Sequence, residues 1–126
     1  MNIMNKRHFQ LAPDLTICRI VNGMWQVAGG HGHIDHELAV ADMQRYHDSG
    51  FTTWDLADIY GPAETFIGEF RRRLLREKGK EELDKIQTCT KWVPQPSRIT
   101  RSMVDNGIEA ALRRMDVSSL DLLQFH

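Results

Sequence analysis

Apolar and polar positions follow two different periods along this chain, and the switches between them mark strands and helices. Short apolar runs at residues 17–23, 51–56, 86–90 and 120–126 have the length of buried strands and are flanked by turn signals such as Asn22-Gly23. Between them, apolar residues recur every three or four positions. Ala39, Met43 and Tyr46 form one such face, on a helix that Asp35 opens and Gly50 ends. Phe66, Ile67, Phe70 and Leu74 stripe a second helix over residues 63–78. Val104, Ile108, Ala111, Leu112 and Met115 stripe a third, which starts where the hydroxyls of residues 97–100 can cap it. Pro94-Gln95-Pro96 between the third strand and that helix reads as a loop.

Strand and helix therefore alternate as β-α-β-α-β-α-β. Parallel neighbours need crossover connections, so the order predicts an α/β fold with a parallel sheet covered by helices. Two architectures meet this pattern, a doubly wound nucleotide fold and a (β/α)8 barrel. The first would usually carry G-x-G-x-x-G or G-x-x-x-x-G-K-[ST] after strand one, and residues 24–31, MWQVAGGH, match neither. The barrel gains weight, although the pattern of elements leaves the two near balance.

Composition narrows the function classes. A formal net charge of −1 supplies no field for recruiting nucleic acid, and the basic cluster Arg71, Arg72, Arg73 and Arg76 is interrupted by Glu69 and Glu77, as on a solvated helix face. Residues 1–14 lack the apolar core of a secretory signal, and no apolar run approaches a membrane span, so the expected location is cytoplasmic. Cys18 and Cys89 lie in apolar stretches without disulfide or zinc spacing and read as buried thiols. His31, His33, Asp35 and His36 form a dense polar loop. Imidazoles so spaced can bind metal, but the simpler reading is a flexible loop with a helix cap, and no metal is expected.

In a barrel the chemistry sits at the C-terminal ends of the strands. Those ends carry Gly23-Met24-Trp25, then Asp55 with Tyr60 five residues on, then Lys91-Trp92, then His126. Any one of them has an ordinary reading as a turn, packing or surface residue. Together they match what carbonyl reduction by hydride transfer requires, because the carbonyl oxygen gains charge and must receive a proton or a strong donor. A phenol is too weak an acid at neutral pH unless an ammonium stabilises its phenolate. Lys91 would supply that ammonium to Tyr60, Asp55 would orient Lys91, and His126 would donate to the carbonyl oxygen.

The stretch Asp55-Leu56-Ala57-Asp58-Ile59-Tyr60-Gly61, with Glu64 and Ile67-Gly68 after it, resembles the aldo-keto reductase signature D-x-A-x-x-Y-G…E-x-x-I-G. Thr90-Lys91 and residues 111–126 resemble two further blocks of that family, and the likeness runs from about Thr16 to the end. The resemblance implies a (β/α)8 barrel of which this chain supplies the first four strands and three helices, and a catalytic tetrad of Asp55, Tyr60, Lys91 and His126. It implies NADP(H) beside Gly23, Met24 and Asp55, and a small-molecule carbonyl substrate against Trp25, Tyr60, Trp92 and His126. Residues 6–11 and 15–18 would form the hairpin that closes the barrel bottom. Leu56 departs from the small hydroxyl residue common after the aspartate. A whole barrel takes around 250 residues, so residues 1–126 read as an N-terminal half truncated after strand four. That leaves two expectations: an NADP(H)-dependent oxidoreductase acting on aldehydes or ketones, or an inactive remnant or half-barrel that docks onto another chain. Open barrel edges would favour self-association.

Overall fold

The computed structural model describes residues 4–126; the first three residues of the expected domain lie outside the described residues. A short helix α1 (Met4–Arg7) leads into an antiparallel hairpin, β1 (His8–Ala12) and β2 (Leu15–Cys18). Four parallel strands follow in sequence order, β3 (Asn22–Gly23), β4 (Thr53–Asp55), β5 (Gln87–Trp92) and β6 (Leu122–Phe125). Their crossovers are α2 (His36–Asp48), α3 (Ala63–Lys78) with the short α4 (Lys80–Leu83), and α5 (Arg101–Met115). This is half of a (β/α)8 barrel with its bottom hairpin.

The caps follow the local chemistry. Asp35 accepts from the Leu38 N–H at 2.9 Å and Thr100 from the Met103 N–H at 3.3 Å, each satisfying a donor of a helix first turn. Ser49 caps α2, and Gly50 beyond it takes φ 91°, the left-handed geometry that lets the chain turn back into the sheet.

Two expectations are corrected. The apolar run at 17–23 is two strands. Leu15–Cys18 belongs to the hairpin and only Asn22–Gly23 pairs in the parallel sheet. The break falls at residues 19–21, where Ile20 stays 67% exposed. On α2 the buried face is Val40, Met43 and His47, while Tyr46 is half exposed. His47 is drawn in because its Nε2 meets Glu82 Oε2 at 3.0 Å and its ring packs edge-on against Phe70 of α3. The helix α4, which supplies Glu82, was not foreseen.

Successive strand residues face opposite sides. Trp54 and Leu56 point outward and join Phe66, Ile67, Phe70 and Leu74 of α3 in the core beneath the helices. Thr53, Asp55, Cys89 and Lys91 point inward and line a cavity of about 350 Å³, whose floor is formed by Leu11 and Ile17 of the hairpin. An apolar groove of about 820 Å³ runs along the outer flank of β3 and α2, past Ile20, Val21, Leu38 and Tyr46.

The spacing of α3 and α5 rests on two residues one turn apart. A Cβ on Gly68 would lie 2.2 Å from the Arg114 carbonyl oxygen, so only glycine allows this approach. Glu64, 1% exposed, accepts from Arg114 Nε at 2.7 Å and from Thr90 Oγ1 at 2.6 Å, tying both helices to β5. Gly68→Ala is accordingly expected to destabilise the chain by about 1–3 kcal/mol, the usual cost of overpacking. Urea denaturation measures it, and an unchanged midpoint would mean that the helices separate freely.

Candidate active site

The parallel register brings the candidate chemistry together. Gly23 pairs with Asp55 and Asp55 with Cys89, so β5, which ends at Trp92, runs three residues further and carries Lys91 past the end of β4. The chain just past β4 keeps its Leu56 and Asp58 N–H groups on β5 and presents the Leu56 carbonyl to the lysine. Lys91 Nζ donates to Asp55 Oδ1 at 2.6 Å and to the Leu56 carbonyl at 2.9 Å. Its side chain is 17% exposed and that of Asp55 39%, so the pair stands at the rim of the cavity.

Tyr60 follows on the loop between β4 and α3. Lys91 Nζ lies 5.0 Å from the centre of its ring. Trp25, on the 3₁₀ turn Trp25–Ala28, meets the same ring edge-on at 5.3 Å between centroids. The two loops touch at Gly61, whose φ of +53° and closeness to Ala28 (3.4 Å from a Cβ position to Ala28 Cα) let the Tyr60 turn rest on the Trp25 turn. Trp25 is half exposed and Tyr60 half-buried, an aromatic corner above the ion pair.

The remaining candidates divide. Gly23 is exposed beside Asp55, with open space where a side chain would stand. The Met24 side chain is buried in the core, and its N–H donates to the Asp55 carbonyl at 3.0 Å. His126 is exposed just past β6, with its N–H on the Trp92 carbonyl at 3.0 Å. Its backbone thus sits one strand away from Lys91. The structure places Trp92, expected at the substrate wall, against α5 and β6. Its indole Nε1 lies 2.5 Å from where a Cβ on Gly107 of α5 would be, and its ring packs on Phe125 at 5.5 Å. Because Lys91 faces inward, its neighbour must face the helices.

Sequence reading passed over Asp58 and the Leu56 carbonyl. The signal for Asp58 was its period, an acidic residue three after Asp55 and two before the tyrosine. The histidine loop does not gather: His36 Nε2 reaches Glu69 at 3.1 Å and its ring packs on Phe66, and His31 and His33 are exposed. Among the described residues no three His, Cys, Asp or Glu side chains converge on one point. Both cysteines are free and buried.

The family model for the aldo/keto reductase family matches residues 19–126. The chain belongs to the aldo-keto reductase family. It is 27% identical over 130 residues to YcsN, an uncharacterized oxidoreductase of Bacillus subtilis, covering 95% of this chain and 42% of that protein. It is 28% identical over 110 residues to the L-glyceraldehyde 3-phosphate reductase of Escherichia coli, covering 82% and 31%. Among solved structures, an aldo-keto reductase from Pseudomonas aeruginosa superposes with a TM-score of 0.71 at 20% identity, over 94% of this chain and 46% of the other. A silkworm (Bombyx mori) aldo-keto reductase solved in complex with NADP superposes with a TM-score of 0.73 at 16% identity, over 92% and 36%. This aldo-keto reductase chain thus spans less than half the length of the relatives it matches.

Cys89, on the inner face between Asp55 and Lys91, reports on the site. Burial first, then the Asp121 and Asp55 carboxylates, push its thiol up to about 11, with Lys91 opposing. A raised value means that the folded form keeps its proton while the unfolded thiol loses it. The stabilisation is therefore complete below about pH 8.5–9 and lost as pH rises towards 11. Denaturation curves at stepped pH should show a steeper loss over that window for the parent than for Cys89→Ala. Parallel loss in both would show that Cys89 ionises freely.

Proposed function

We propose that this chain carries the acid–base half of an NADP(H)-dependent oxidoreductase that reduces an aldehyde or ketone to an alcohol by direct hydride transfer, with Tyr60 as general acid. One observation carries the reading: the Lys91 ammonium lies 2.6 Å from Asp55 and 5.0 Å from the Tyr60 ring, where neighbouring parallel strands end. Family membership and the NADP in the silkworm structure support it.

The residues fit a reduced nicotinamide beside β3 and β4. Gly23 leaves room there, and Asp55 and the Met24 backbone border it. The cofactor would supply the hydride; the chain's own groups handle the proton. Tyr60 donates its phenolic proton to the carbonyl oxygen as charge develops there. Lys91 keeps an ammonium next to the resulting phenolate, and Asp55 with the Leu56 carbonyl holds that ammonium in place. His126, at the neighbouring strand end, adds a second donor to the same oxygen. Trp25 gives the substrate an apolar wall that helps exclude water. The substrate is a small carbonyl compound and the setting cytoplasmic; no helix among the described residues is long and apolar enough to cross a membrane.

A second reading, a noncatalytic half-barrel that docks onto another chain, draws on the exposed flanks. Ile20 is 67%, Leu38 66% and Phe125 70% exposed, and β3 and β6 are the outer strands of the sheet.

Two measurements separate these readings. In a polypeptide that turns over NADPH, Tyr60→Phe is expected to lower kcat by about 10²- to 10⁴-fold with cofactor affinity little changed, and Lys91→Met to act likewise. Near-normal turnover in Tyr60→Phe would exclude Tyr60 as the acid. The 126-residue chain assayed alone is expected to self-associate in light scattering and to oxidise no NADPH, since hydride transfer needs the nicotinamide held within about 3–3.5 Å of the carbonyl carbon. Tyr60-dependent turnover by a stable monomer would refute that expectation and the docking reading together.

A further inference from the structure

The segment that carries Tyr60 is fastened to β5 rung by rung. After β4 ends, the Leu56 N–H still donates to the Cys89 carbonyl at 2.8 Å and the Asp58 N–H to the Lys91 carbonyl at 3.0 Å. These two bonds continue the parallel ladder by one further step each. The next rung is made by a side chain: the Val93 N–H donates to both carboxylate oxygens of Asp58, at 3.2 Å each. Beyond Asp58 the chain leaves β5 altogether. Tyr60 N–H turns back to the Ala57 carbonyl at 3.1 Å, and the Tyr60 carbonyl accepts from Ala63 at the start of α3. Asp58 is thus the last residue anchored to the lysine strand before the tyrosine.

We propose that Asp58 is a positioning residue which, by clasping the β5 backbone directly after Lys91, at the Lys91 carbonyl and the Val93 N–H, sets the separation between the Lys91 ammonium and the Tyr60 ring. This rests on the reading of Tyr60 and Lys91 as the acid–base pair. Its amide grips the carbonyl of Lys91 and its carboxylate grips the N–H two residues on, so a shift of the Tyr60 loop along β5 must break both. Asp58 lies at a position that the D-x-A-x-x-Y-G pattern leaves open, and it touches neither reacting group. Its carboxylate is half-buried and forms no ion pair among the described residues, so its contacts to Val93 are the directed interactions it makes. An ionised acceptor makes the stronger bond to a backbone N–H.

The test reads the geometry in the 126-residue chain itself. Lysine labelled at its ε-carbon, with the signal assigned by Lys91→Arg, reports the ring-current shift that Tyr60 imposes on the Lys91 ε-methylene, and Tyr60→Leu gives its zero point. Asp58→Ala is expected to move that signal most of the way to the Tyr60→Leu position and to speed Val93 amide exchange by on the order of tenfold or more. Asp58→Asn, which keeps an acceptor oxygen, should restore both, and Val40→Ala, which loosens the core elsewhere, should leave the Lys91 shift in place. An Asp58→Ala signal at the parent position would overturn the proposal. So would an Asn variant as displaced as the Ala variant, or a parent signal already at the Tyr60→Leu position. None of these measurements needs turnover, so a failure of the reductase reading shows in the Tyr60→Phe assay and a failure of the clasp shows here.

Discussion

An ammonium group held at the place where a strand ends and its neighbour continues is the constraint around which this chain is arranged. Lys91 reaches past the end of β4 and takes two acceptors, the Asp55 carboxylate and the Leu56 carbonyl. That carbonyl lies just past the end of β4, on a segment whose Leu56 and Asp58 N–H groups still hold to β5. Removing a charge partly from water costs more than a single ion pair generally returns, so the arrangement makes little sense as a device for stability alone. It makes sense if a positive charge is required at one point, beside the face of Tyr60. The chain bends away from β5 only after Asp58 to start the Tyr60 loop, so the Leu56 carbonyl and that loop belong to one short anchored segment and occur together.

The helical layer holds that bend at its outer end. The loop from β4 enters α3, and the loop from β5 enters α5, so the distance between the two helices is felt at both strand ends. Glu64 fixes this distance from the first turn of α3, bridging Thr90, the residue before Lys91, to Arg114. Gly68 fixes it one turn later by admitting the Arg114 carbonyl. Both residues fall within the signature stretch that begins at Asp55. The signature therefore joins the tyrosine proposed as proton donor to the packing that keeps its loop against the neighbouring strand.

Much of this was legible in the sequence because period and punctuation are local. The strand ends, the caps at Asp35 and Thr100, and the stripe of α3 depend on neighbours within a turn or two, and they appear as expected. Contacts set at long range did not show. The candidate faces Ala39-Met43-Tyr46 and Val40-Met43-His47 share Met43 and differ by a rotation of roughly one residue, so the pattern alone does not choose between them. Glu82, 35 residues from His47, does. Trp92 packs against α5 for a simpler reason, as the residue next to an inward lysine on a strand faces the other side of the sheet. The run at 17–23 concealed a change of sheet because apolar character continues across a corner that only tertiary pairing reveals.

The acid–base pair and the exposed flanks of the chain belong to different parts of the fold. Asp55 and Lys91 stand on β4 and β5, each of which has a parallel neighbour on both sides. The loop of Tyr60 is held by β5 on one side and by the Trp25 turn on the other. Of the apolar groups left open to solvent, Ile20, Leu38 and Tyr46 lie along one flank and Phe125 along the other, and the rings of Tyr46 and Phe125 pack on Trp54 of β4 and Trp92 of β5. Whatever covers those flanks bears first on what can be held above β3 and β6, where Gly23 and His126 stand, and reaches β4 and β5 through those two ring contacts. The proposed acid–base pair is assembled from the middle of the sheet, while the residues proposed to meet cofactor and substrate, Gly23 and His126, stand at its edges. Under that proposal a change at an edge acts on affinity before it acts on the proton donor.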